Sequence, residues 1–160
     1  MAAREEILAA NEAYAATFDK GDLPAPPARS LAVVTCMDAR LDPARFLGLE
    51  EGDAHVIRNA GGIVTDDALR SLVISHHLLG TQEALVIGHT DCGMLTFTDD
   101  ELRERLGADA AGVDFHAFPD LEERVRQSVA AIRDSPLLPE SFGARGYVYD
   151  VRSGRVEDVA

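Results

Sequence analysis

Basic residues are scarce in this chain. Fifteen Lys and Arg stand against 28 Asp and Glu, a formal net charge of −13 over 160 residues. Such a surface offers no electrostatic footprint for nucleic acid and is repelled by an anionic membrane face. Neither is an expected partner, and an anionic substrate would need a local cation. Long hydrophobic runs are also missing. Nothing approaches the ~20 apolar residues of a membrane span. The start, Met1-Ala2-Ala3-Arg4-Glu5-Glu6, carries acid where a secretory signal has a basic end. A cytoplasmic location follows as an expectation, and thiols stay reduced there. Internal repeats, low-complexity stretches and tryptophan are absent. Cysteine is nearly so: only Cys36 and Cys92 occur, with no Cys-x-x-Cys pair to support a redox role.

What is present is ordinary for a globular protein: 46% hydrophobic and 27% charged residues. The length fits one domain over residues 1–160. Ile7, Asn11, Tyr14 and Phe18 keep a helical spacing, so the first segment reads as a helix to about Phe18. Gly21-Asp22-Leu23-Pro24-Ala25-Pro26-Pro27 then forms a stiff linker, so that 1–27 is an arm and its tether. The arm either folds back on its own core or embraces a second subunit.

Beyond the linker, strand and helix patterns alternate. Leu31-Ala32-Val33-Val34-Thr35, Ala54–Ile57 and Ala84-Leu85-Val86-Ile87-Gly88 read as strands, the first and third as buried parallel ones. Asp42-Pro43 opens one helix, with Gly48 and Gly52 punctuating its end. A second runs from Thr65-Asp66-Asp67 to Leu79, stopped by Gly80, with Leu69, Leu72, Val73 and Leu79 facing inward. Thr98 and Glu101 fit a capping box for a third, to about Leu106. A Gly-containing polar region follows without a readable pattern. A last helix runs from Pro119-Asp120 to about Asp134, and Tyr147–Val151 is the last expected strand, ahead of a turn at Arg152-Ser153-Gly154. The expected fold is α/β: a mostly parallel central sheet flanked by helices, with an N-terminal helical arm.

Each cysteine stands where an apolar run stops. Cys36 opens Cys36-Met37-Asp38-Ala39-Arg40, and Cys92 ends His89-Thr90-Asp91-Cys92, followed by Gly93. Ligands of open α/β sheets gather beyond the carboxyl ends of the strands. Two sulfurs and one imidazole nitrogen make a zinc ligand set that leaves one position open. Taken singly, either cysteine could be a small buried residue, and His89 a core or surface histidine. His-x-x-Cys and Cys-x-Asp-x-Arg, each at the end of a buried strand, together favour the metal reading.

These two motifs, with Arg58-Asn59-Ala60-Gly61-Gly62 between them, resemble the β-class carbonic anhydrases, and within them the short actinobacterial-type members. The likeness covers the chain from the linker to the last strand. It implies a Zn2+ enzyme that interconverts carbon dioxide and bicarbonate through a zinc-bound hydroxide. It implies a homodimer or higher homo-oligomer, with N-terminal helices packed on the partner. Carried onto this chain, Cys36, His89 and Cys92 are zinc ligands, and Asp38 and Arg40 match the catalytic Asp–Arg pair. An Arg-held Asp38 accepts a hydrogen bond from the hydroxide. In the closed state of some members the same carboxylate takes the fourth zinc position, so Asp38 is also a candidate metal ligand. Hydrolysis of carbonyl sulfide or carbon disulfide, and a structural zinc site closed by Asp38, are the alternatives. Without tryptophan the bicarbonate pocket of allosteric members is missing in that form. Arg58 and Ala60-Gly61-Gly62 are candidates for the cleft lining, His55 and His116 for proton relay by residue type alone. His76 and His77, late in a helix, suit its dipole. Asp91 has no role legible at this level.

Overall fold

The structure is a computed structural model that describes residues 3–160. Five strands form one sheet: β1 (Leu31–Cys36), β2 (Ala54–Asn59), β3 (Glu83–His89), β4 (Gly143–Tyr149) and β5 (Val156–Asp158), in the order β2-β1-β3-β4-β5. The first four are parallel, and β5 closes the edge antiparallel to β4. The α/β expectation, a mostly parallel sheet with helices against it, holds. From β1 the chain steps to one side for β2, then crosses to the other side for β3. A crevice opens at such a reversal, beyond the carboxyl ends of β1 and β3. Cys36 is the last residue of β1 and His89 the last of β3.

The helices are α1 (Ala3–Ala15), α2 (Pro43–Leu47), α3 (Asp66–Leu79), α4 (Asp99–Leu106) and α5 (Leu121–Arg133). Their starts are where the cap residues place them. Asp42, Thr65 and Asp120 side chains accept from the backbone N–H three residues on, and Thr98 and Glu101 form the reciprocal box. Gly48 and Gly80 end α2 and α3 in the left-handed conformation.

Two apolar clusters form the core. One joins α3 and α5 to the sheet through Leu72, Val125, Val129 and Ile132 against Ala32, Val34, Ala84 and Val86. The other surrounds the strand ends: Cys36, Leu41, Ile63, Cys92, Met94 and Phe118. Of the expected inner face of α3, Leu72 is fully buried, whereas Leu69, Val73 and Leu79 are partly so.

Two expectations need correction. The last parallel strand runs from Gly143 to Tyr149, not from Tyr147 to Val151. Its first half, Gly143-Ala144-Arg145-Gly146, has little strand propensity. It is held in the sheet by pairing with β3, and α5 lies directly on it: a Cβ at Gly146 would fall 2.6 Å from a Val125 methyl. The final strand, β5, follows the expected turn at 152–154 and was not anticipated at all; three residues carry too short a pattern. Helix α1 ends at Ala15, three residues before Phe18, and none of its residues is buried against this chain. Ile7, Leu8, Tyr14 and Phe18 all remain exposed. The base of the arm is tied down by the Tyr14 hydroxyl, which donates to Glu51 at 2.7 Å, and by the Lys20–Glu51 ion pair.

Candidate metal centre

The ends of β1 and β3 pair in register only as far as Thr35 and Ile87. Beyond that pair the strands part, and the loops carry chemistry. Cys36, His89 and Cys92 converge there, all buried, with their ligand atoms within 4.8 Å of one another. His89 Nδ1 lies 2.9 Å from the Thr90 carbonyl, which as an acceptor fixes the proton on Nδ1. The lone pair of Nε2 is therefore left facing the sulfurs. Nε2 is buried and has no hydrogen-bond partner. An unpaired polar atom in an apolar cluster is costly, and a soft cation between two thiolates and an imidazole removes the cost. The donor set fits zinc.

Several groups shape the Cys36 side. The Gly61 N–H points at Cys36 Sγ from 3.4 Å. Gly61 and Gly62 both have positive φ. A Cβ on Gly62 would meet the Cys36 nitrogen at 2.7 Å, so the turn can press on the strand end only as glycine. Arg58 donates from Nε to the Cys36 carbonyl at 2.9 Å and from Nη2 to the Asp38 carbonyl at 2.7 Å. It braces the backbone that carries both residues. The Cys36 thiol is held well below its ordinary range by the adjacent Cys92 thiol, then by the neighbouring His89 imidazole and the Asp38 and Gly61 backbone, against the opposing effect of burial. Cys92 is pushed the other way by the same contact and by burial. Burial pulls His89 down, but the Cys36 contact outweighs it and the net direction is up. Buried thiols of this kind would yield protons when a cation enters.

Asp38 rests on Arg40. Arg40 Nε donates to Oδ1 at 3.0 Å and Nη2 to Oδ2 at 2.8 Å, a fork on a carboxylate, and the Arg40 backbone N–H adds a third bond at 2.9 Å. These contacts hold the Asp38 carboxyl far below the usual carboxylate range, the Arg40 side chain first among them. Asp38 also faces the donor set: Oδ2 is 3.8 Å from His89 Nε2. Arg40 is also bound by Asp91, whose carboxylate accepts from Nη1 at 2.7 Å and whose carbonyl accepts from Nη2 at 2.9 Å. Asp91 is the contributor that the sequence did not expose, and Arg58, expected as a candidate for the cleft lining, braces the backbone of Cys36 and Asp38. Asp91 sits inside the His89–Gly93 motif with φ +55°, and it is this backbone turn that sends it back toward Arg40.

The remaining candidates lie elsewhere. His55 pairs with Ala32, four residues before Cys36 on β1, and its Nδ1 meets the Ser75 hydroxyl at 2.7 Å. His76 and His77 meet the carbonyls of Thr81 and Leu137. His116 has Nδ1 3.3 Å from Asp114, in a loop whose backbone is gathered by Asp99.

The carbonic anhydrase family model matches residues 31–114, which includes the three donors, Asp38 and Arg40. "Beta-carbonic anhydrase 1" of Mycobacterium tuberculosis is 48% identical, with 99% of each chain covered. The crystal structure of the carbonic anhydrase of Streptococcus mutans superposes with a TM-score of 0.93 at 48% identity, covering 100% of this chain and 99% of the other. A carbon disulfide hydrolase of Acidianus sp. is 36% identical over 82% of this chain and 78% of its own. Sequence and fold thus agree along the whole length, and the chain belongs to the β-class carbonic anhydrase family.

Proposed function

We propose that this protein hydrates carbon dioxide reversibly to bicarbonate and a proton, on a zinc ion held by Cys36, His89 and Cys92. The observation that carries the reading is the buried, unpartnered Nε2 of His89, turned toward two sulfurs, with an ionised carboxylate beside it that is committed to arginine. Zinc, when bound, supplies Lewis acidity that lowers the pKa of a water molecule. The protein does the rest. Arg40 keeps Asp38 ionised and fixes its plane. Asp38 accepts a hydrogen bond from the attacking oxygen and aims its lone pair at the carbon. Ile63, Met94 and Phe118, packed around the cysteines, keep bulk water out and admit a small apolar gas.

Asp38 would also be able to join Cys36, His89 and Cys92 in holding the metal if it left Arg40, and the site would then be closed. The 3.8 Å gap between Asp38 Oδ2 and His89 Nε2 makes that a short movement. The Arg40-bound position of Asp38 disfavours a purely structural zinc site. Hydrolysis of carbon disulfide is the second reading, favoured by relatives of that name.

Residues 1–160 form one domain in this reading, with 1–27 as arm and linker. The exposed apolar residues of α1 are covered by a second copy of the chain, in a homodimer or larger homo-oligomer. A reducing, cytoplasmic setting suits two free thiols. Among the described residues no helix is long and apolar enough to cross a membrane.

The test is stopped-flow hydration of carbon dioxide by the zinc-loaded protein, run beside carbon disulfide turnover. Asp38→Ala and Arg40→Ala are each expected to lower kcat by about 10- to 100-fold with zinc retained. Cys92→Ser is expected to lose both zinc and activity. Activity undiminished by Cys92→Ser contradicts the metal assignment, and turnover of carbon disulfide in place of carbon dioxide contradicts the substrate.

A further inference from the structure

Asp91 occupies a backbone conformation that side-chain-bearing residues adopt at a cost, φ +55°. Asp and Asn tolerate it better than Ala, and glycine takes it freely. The turn has a consequence for Arg40. It brings the Asp91 carbonyl to 2.9 Å from Nη2 and the carboxylate to 2.7 Å from Nη1. The same guanidinium holds Asp38 through Nε and Nη2. All three nitrogens are thus engaged. One side is fastened to the turn that carries His89 and Cys92, and the other carries Asp38. Arg40 is 47% exposed. An exposed arginine held by a single carboxylate keeps much of its rotamer freedom.

Resting on the carbon dioxide hydration reading, we propose that Asp91 is a positioning residue: it locks Arg40 to the β3 turn, and so sets where Arg40 presents Asp38 relative to the His89–Cys92 side of the site. Asp91 does not touch the reacting atoms. It converts the Asp38–Arg40 pair, which belongs to the β1 loop, into a bridge between the two loops that carry the donors. The carboxylate is 71% exposed, so its ion pair adds little to global stability. Its effect falls on alignment, and small errors of placement are expensive in rate.

The experiment is a series at one position in the full-length, zinc-loaded protein: Asp91→Asn, Asp91→Gly and Asp91→Ala. Glycine keeps the turn and removes the side chain. It is expected to lower kcat about tenfold, with KM and Tm nearly unchanged. Asparagine keeps the turn and an uncharged acceptor, and is expected to fall between glycine and wild type. In an Arg40→Ala background the glycine substitution is expected to change kcat less than twofold, because the residue through which it acts is gone. A second readout does not depend on turnover. The Arg40 Nε–H resonance, assigned by its loss in Arg40→Lys, is expected to show higher mobility and faster solvent exchange in Asp91→Gly than in wild type. If Asp91 merely shapes the turn, Asn and Gly behave as wild type and only Ala suffers, through a lower Tm; that ranking overturns the proposal. If wild type hydrates no carbon dioxide, the functional reading fails by itself. An Arg40 resonance unchanged by Asp91→Gly then still rejects the positioning role, and a mobilised one supports it.

Discussion

At Asp38 two demands fall on one carboxylate. Arg40 offers it a bidentate fork, and the nearby donor set offers it a metal. In the proposed switch the attacking oxygen and Asp38 would compete for the same position, and alkali would favour the former. The hydration rate is therefore expected to be low near neutral pH and to rise above it, while a flat profile across that range would exclude the switch. The stability linkage acts at the acid end of the scale. Arg40 lowers the folded-state pKa of Asp38, so the pair contributes stability at and above the ordinary carboxylate range. That contribution is lost as the pH falls through the depressed value. In acid titrations followed by circular dichroism, Asp38→Asn is expected to narrow the Tm difference between pH 6 and pH 3 relative to wild type; an unchanged difference contradicts the linkage. The donors were legible in the sequence because strand-end cysteine and histidine are rare and their spacing is local. The role of Asp91 was not, and Arg58 was expected at the cleft without its bracing role. Their contributions depend on a left-handed backbone turn and on hydrogen bonds to carbonyls, and residue type announces neither.

At the scale of elements, close approaches decide the site. Gly62 lets the turn after β2 touch the Cys36 nitrogen. Gly62→Ala must move that turn or the strand end, and a positive φ adds strain. We expect a loss of about 1–3 kcal/mol in denaturant unfolding together with weaker zinc retention against a chelator. A variant as stable and as zinc-tight as wild type would show that the turn has slack. The segment after α4, unreadable from its polar composition, is organised by one carboxylate. Asp99 accepts from the backbone N–H groups of Phe115, His116 and Ala117, and those bonds, Ala117 first, lower its pKa. In sequence Asp99 looks like an ordinary acidic first turn of a helix. Asp99→Ala is expected to raise hydrogen exchange over 111–117 while leaving β1 and β3 protected. The same holds for β4: Gly146, which weakens its strand pattern, is the residue that lets α5 pack close. Alternation and caps made β1, β3 and four helix starts readable, since those signals are local. Glycine-rich β4 and three-residue β5 depend on partners distant in sequence.

On the scale of the whole molecule, helix α1 is the unfinished part. Its apolar residues Ile7, Leu8, Tyr14 and Phe18 are exposed on the single chain, as is Val56 on the edge strand β2. Exposed apolar surface concentrated on an arm would be accounted for by the proposed partner subunit. Analytical ultracentrifugation is expected to show a dimer or larger species, and deletion of residues 3–20 to shift it toward monomer. A monodisperse wild-type monomer contradicts that assembly. The net charge of −13 is then carried by each subunit, leaving Arg40 and Arg58 as cations beside an otherwise acidic chain's donor cluster.

The proposed chemistry depends on three side chains from two loops holding one metal ion. Zinc K-edge X-ray absorption on stoichiometrically loaded protein measures this directly. The prediction is one zinc per chain with two sulfur neighbours near ~2.3 Å and a first shell completed by nitrogen or oxygen near ~2.0–2.1 Å. A shell of nitrogen and oxygen alone, or zinc bound as firmly by Cys36→Ser/Cys92→Ser protein, would contradict it.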